Sequence, residues 1–194
     1  MGIQTHNIEP HWNYLLAIER DVNELSRFVE FDERNFDCFS IEIARILLSC
    51  GAETDVVCKG ICMSINPTSA ADNIHKYRTE IKPRYPTIAQ FQVSLPRFGL
   101  ILTPWDEWKK DEGVPVWWTG YNKVKHERHT EYDRANLKNA LNGLAGLFVM
   151  AIHLIEAKGQ IGESFPCPRL LNVGPEHIGS RTFGGIDSQI RYRL

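Results

Sequence analysis

The chain has 194 residues, 43% of them apolar, enough for one domain with a sizeable core. Its 22 Lys and Arg against 24 Asp and Glu give a formal charge of -2. That balance excludes the strongly basic class of nucleic-acid binders and confines any such contact to a local patch.

Charged or polar residues interrupt every apolar run before the roughly 18 to 20 residues that span a bilayer, so no membrane segment is expected. Cys38, Cys50, Cys58, Cys62 and Cys167 form an odd set without a CxxC pair or a preceding secretory signal. Free thiols in a reducing cytoplasm are expected.

From His11 to Glu30, Trp12, Leu15, Ile18, Val22, Leu25 and Val29 recur every three or four positions, which predicts an amphipathic helix. A polar break follows at Phe31 to Asp37. The stripe Ile43, Ile46, Leu47 and Leu48 then predicts a second helix, with Asp37 or Ser40 as its cap. Beyond Gly51, the apolar residues Val56, Val57, Ile61 and Met63 and the Asp55/Lys59 pair favour continuation of that helix to Ile65. Ser69 offers a cap for a polar helix through Ile74, Tyr77 and Ile81, ended by Lys82-Pro83.

Six of the ten prolines fall between Pro67 and Pro115, and two brief strands or extended loops are expected there, at Phe91 to Leu95 and Gly99 to Leu102. Leu137, Leu141, Leu144, Phe148, Ile152 and Ile155 mark a long central helix, in which Gly143 and Gly146 permit close helix contact. The last 36 residues hold six of the fourteen glycines. They predict an irregular tail, docked where Phe165, Leu170, Leu171 and Phe183 find apolar partners. The fold class is therefore mainly α: a single helical-bundle domain over 1–158 with a proline-rich insertion at about 82–116 that holds two short strands, and a docked tail over 159–194.

Chemistry concentrates between Trp117 and His129, where two indoles, an amide, ammonium groups, a guanidinium and two imidazoles share thirteen positions. The segment precedes the apolar run Asn136 to Lys158, so it is expected at a helix entrance, where unpaired N–H groups favour anions. If the segment is helical, Asn122 and His126 share a face, as do Lys125 and His129. Aromatic faces beside cations can stack bases and hold phosphates, whereas the plain alternative has the tryptophans plugging the end of the bundle.

The helix order, with Asn-x-x-x-His at a helix start, resembles the HEPN group of all-helical domains, many of which are RNA-cleaving toxins or defence proteins. The group's pattern is Arg, roughly four to six residues, then His, often with Asn directly after the Arg. Laid on Tyr121-Asn122-Lys123-Val124-Lys125-His126, it matches Asn122 and His126, while Tyr121 stands where the Arg belongs. The resemblance spans the helices between His11 and Lys158.

Binding of RNA or a nucleotide by a homodimer is expected, and the resemblance implies metal-independent RNA cleavage as its chemistry. His126 would transfer the proton and Asn122 would orient phosphate or ribose, while Lys125, Arg128, His129, Tyr121 and Trp118 bind the substrate. On an ideal helix Arg128 diverges from His126 by about 200 degrees, so it would need a helix end or a dimer partner to cooperate. The rival readings are a non-catalytic module that docks a protein partner, and a small-ligand sensor with a pocket between the insertion and the bundle.

No cofactor or metal is expected. Cys58, Cys62 and His75 lack a fourth ligand and fit no familiar zinc spacing, so the cysteines read as buried structural thiols. Glu42, Glu53 and Asp55 read as solvated faces, and Gly184-Gly185 as a turn.

Overall fold

The structure is a computed structural model that describes residues 9–160, 163–182 and 188–194. Phe183, Gly184 and Gly185, to which a docking contact and a turn were assigned, lie outside the described residues.

Helix α1 (Pro10–Leu25) begins on a proline whose fixed φ suits a first helical position, and buries Trp12, Leu15, Ile18, Val22 and Leu25 as the periodicity requires. It stops short of Glu30. The Ser26 hydroxyl donates to the Asn23 carbonyl at 2.6 Å, occupying a backbone acceptor at the helix end. Helix α2 (Ile41–Ile65) starts at Ser40, whose Oγ accepts from the Ile43 N–H. It runs through Gly51 without a break, as the continued apolar spacing implies.

Helix α3 (Ile74–Arg84) begins later than Ser69 would place it. Asn73 Oδ1 accepts from both His75 and Lys76 N–H and so caps the helix, while Ser69 Oγ closes only a turn at Ala71. Pro83 lies inside the last turn instead of ending the helix before it. There it sacrifices one bond, and Tyr85 N–H closes the helix on the Ile81 carbonyl.

The insertion forms strands β1 (Val93–Leu95) and β2 (Leu100–Leu102), an antiparallel hairpin turned at Gly99 with φ +66. Helix α4 (Val116–Glu127) follows, and then α5 (Leu137–Ala157), the central helix, which packs mainly against α2. Helix α5 is long and apolar enough to cross a membrane, yet 83% of its most apolar window is buried by the rest of the protein. Its apolar surface is thus used up in core packing. Gly146 admits the Trp117 ring, which a Cβ there would meet at 2.6 Å.

The insertion is locked to the bundle through indoles. Trp105 Nε1 donates to the Gly146 carbonyl and Trp117 Nε1 to the Pro104 carbonyl, at 3.1 and 2.8 Å.

The tail is irregular over much of its length, as its composition suggests, but it also forms short strands. It contains β3 (Phe165–Pro166), β4 (Asn172–Val173), β5 (Ile178–Thr182) and β6 (Gln189–Tyr192). Strand β4 extends the hairpin into a sheet of order β2-β1-β4, and the others form a second sheet of order β3-β6-β5. One buried carboxylate, Glu19 on α1, accepts from the N–H groups of Arg169, Leu170 and Leu171 at 2.9, 2.7 and 3.1 Å, and so fastens the tail to the first helix.

His153 on α5 is also buried, its Nδ1 2.7 Å from the Val149 carbonyl and its ring between the edges of Tyr85 and Phe91. Burial pushes its pKa down to about 4, against the helping backbone contact and with a small contribution from His177.

Candidate functional site at the end of helix α4

Helix α4 turns one face to the core, burying Trp117, Trp118, Gly120, Tyr121 and Val124. The rings of Trp105, Trp117, Trp118 and Tyr121 follow one another at 5.4 to 5.6 Å between centroids, a continuous aromatic plug between insertion and bundle. Trp118 and Tyr121 are each only 5% exposed. The stacking role expected of them is therefore corrected: their faces are spent on packing, and Trp118 offers a groove no more than an edge. Tyr121 lies flat against Gly51 of α2, where a Cβ would sit 2.3 Å from the ring. Glycine at that point keeps α2 and α4 close, and Tyr121 is walled in by it.

Asn122 is half-buried and its amide donates to the Trp118 carbonyl of its own helix at 3.1 Å. Lys125, His126, Arg128 and His129 are all exposed. The imidazole on which the catalytic reading depends thus opens onto solvent.

The expected helix entrance is replaced by a helix exit. His126 belongs to the last turn of α4, and Arg128 and His129 follow it, so the cluster sits at the negative end of the helix dipole, which favours cations over anions. The entrance of α5 lies beyond a 3-10 turn at Tyr132–Arg134, and its first N–H groups are already bound, to the Cys38 and Phe36 carbonyls and to Asn136 Oδ1.

The cluster also splits across two depressions, with His126 on the ridge between them. Towards α3, Asn122, Trp118 and Thr119 line a shallow groove with His75. Towards α2, a broader groove of about 800 Å³ is lined by Leu48, Val124, Lys125, Arg128, His129 and Tyr132. The structure therefore brings Lys125, His126, Arg128 and His129 together around the broader groove, while Asn122 lines only the other, which His126 also borders.

Lys123 is paired with Glu127 at 3.0 Å and Arg134 with Glu131 at 3.3 Å. Among the described residues Lys125 and Arg128 have no carboxylate partner. The Lys125 ammonium stands 5.5 Å from the Tyr121 ring centroid, within cation–π range. Leu48 and Tyr132 complete the groove, and Phe39, half exposed, meets Tyr132 edge-on at 5.4 Å. Leu48 was visible only as part of an apolar stripe, and nothing local in sequence links Phe39 to Tyr132.

Elsewhere, Glu53 and Asp55 are half-buried and paired, not simply solvated. Glu53 Oε1 lies 2.6 Å from His11 Nδ1, and Asp55 binds Lys59 and the Tyr77 hydroxyl. Glu42 is on the surface with Arg45. Cys58 and Cys62 are fully buried, and burial pushes the Cys62 thiol up to about 12. Among the described residues no group of three or more His, Cys, Asp or Glu is placed to hold a metal ion. Comparison with family models, with curated proteins and with solved structures gives no match, so the site is read from its own chemistry.

Proposed function

We propose that the protein binds single-stranded RNA through the groove between α2 and the exit of α4. The observation that carries this reading is a pair of cations without carboxylate partners, Lys125 and Arg128, set with His129 around an apolar and aromatic floor of Leu48, Val124 and Tyr132. Cations track a phosphate backbone while an aromatic ring receives a base, and such a groove works locally in a protein of net charge -2.

In this reading binding comes first and cleavage is secondary. Tyr121 and Asn122 are held by packing and by the helix backbone, so His126 is the only member of the HEPN-like pattern that meets solvent freely. Metal-independent cleavage would rest on that imidazole, with a second copy of the groove supplied by a homodimer. Five thiols free of disulfides suit a reducing cytoplasm.

The second reading is a protein-interaction module. It draws on Phe39, exposed by 49% and packed edge-on against Tyr132 of the same groove.

The test is fluorescence anisotropy with mixed-sequence single-stranded RNA in chelator, at stepped salt. The expected result is binding that weakens with salt, and a Lys125→Ala/Arg128→Ala double variant whose salt slope is smaller by about 1.4. Absence of RNA binding at low salt overturns the reading. RNA fragments formed by the parent protein but not by His126→Ala would add catalysis to it.

A further inference from the structure

The sheet β2-β1-β4 ends on β2, and no described residue bonds to the outer edge of that strand. Sheets commonly blunt such an edge with a lysine, a proline or a bulge, because its free N–H and C=O groups template further pairing. Leu100-Ile101-Leu102 has no lysine or proline, pairs with β1 without a register shift, and leaves Ile101 66% exposed.

This edge does not lie on open surface. Residues 99–104 form one wall of a cleft of about 440 Å³, the place where a ligand pocket between insertion and bundle would fall. Trp117 at the head of α4 and Lys138 in the first turn of α5 contribute to the opposite side.

The charge of the cleft is also informative. Glu33 and Asp106 line it without an ion-pair partner among the described residues, Glu107 is held by Lys110, and Lys138 is the one cation in the lining among the described residues. The N–H and C=O groups that alternate pairing with β1 leaves unbonded on β2, beside a cleft lined by carboxylates and aliphatic side chains, select for main chain in extended form, flanked by positive charge.

We propose that this cleft takes an extended peptide with basic side chains, which joins the sheet as a fourth strand beside β2. Main-chain hydrogen bonds to β2 supply affinity over the roughly 10 Å that three strand residues span. Alternate side chains enter the cleft, and the basic ones meet Glu33 and Asp106. The occupant is a segment of another protein, distinct from the RNA assigned to the α4 groove, and the two surfaces do not share a lining residue.

The test uses the full chain and a fluorescein-labelled hexapeptide alternating lysine and valine. Three comparison ligands accompany it: the same peptide N-methylated at alternate backbone amides, a version with glutamate for lysine, and lysine amide as competitor. Binding of the basic peptide is expected, at least tenfold weaker for the N-methylated and for the glutamate peptides. Hydrogen exchange of the Leu100 to Leu102 amides should slow on binding.

Ile101→Lys places an edge-guarding charge on an exposed side chain. It is expected to abolish peptide binding while leaving the melting temperature and RNA binding unchanged. Glu33→Gln/Asp106→Asn should remove the preference for the basic peptide. Equal affinity for the N-methylated peptide, competition by lysine amide at the peptide's own concentration, or no peptide binding would each overturn the proposal. So would a dimer of the protein that Ile101→Lys dissociates, since the edge would then belong to a second copy.

Discussion

The two halves of α4 are built by opposite rules. Its first turns carry Trp117, Trp118 and Tyr121 into the core, with glycines on α2 and α5 hollowed to receive them. Its last turn and the residues after it carry Lys125, His126, Arg128 and His129 into water. A segment that reads as one dense patch of chemistry is thus a structural plug followed by a charged rim, and the cations belong to the rim alone. The contrast teaches that clustering in sequence does not establish a shared surface: one helical turn is enough to separate packing from recognition.

The contrast can be broken most forcefully at the plug. Trp117→Ala removes a buried indole and its bond to Pro104, and a loss of about 3–5 kcal/mol is expected in urea unfolding. Gly51→Val forces a side chain into the Tyr121 ring and should cost about 3 kcal/mol on the same measurement, because neither helix can retreat freely. Retention of parental stability in either variant would mean that the plug is softer than its geometry implies.

The histidines sharpen the same comparison. His153 has its pKa pushed down to about 4 by burial, so the unfolded chain binds its proton more readily than the folded one. Its contribution is complete above the unfolded value near 6.5 and is lost as pH falls through that value towards 4, up to about 3 kcal/mol. His153→Leu should flatten this part of the acid-unfolding profile, whereas His126→Ala on the exposed rim should leave it in place.

The smallest effect on the fold is expected at the rim itself. Lys125→Ala/Arg128→Ala should shift stability by no more than about 0.5 kcal/mol and yet weaken RNA binding roughly tenfold. A comparable loss of stability and binding would place the rim with the plug.

Much of the helical framework was legible because its signals are local and periodic. Trp12 to Leu25, Ile43 to Ile61 and Leu137 to Ile155 each write a buried stripe, and Ser40 is a cap whose partner lies three residues away. Asn73 outcompeted Ser69 because a cap is decided by which backbone N–H groups the turn presents, which composition does not reveal. The tail's strands were hidden for a similar reason: Val173 pairs with Val93 across the insertion, and Phe165 with Ile190.

The candidate site was legible in its residue types but not in their directions. That Tyr121 fills the hollow at Gly51, and that Asn122 and Lys125 face different grooves, follows from how α4 lies on α2 and α5.

The carboxylate of Glu19 fastens residues some 150 positions later in the chain. During synthesis, α1 therefore leaves the ribosome long before the amides that will satisfy this acid exist. Until the final stretch emerges, the acid must remain hydrated, which keeps one side of the nascent bundle wet. The closing of that seam is a late event in biogenesis, so a message truncated before Arg169 would yield a bundle with an open flank.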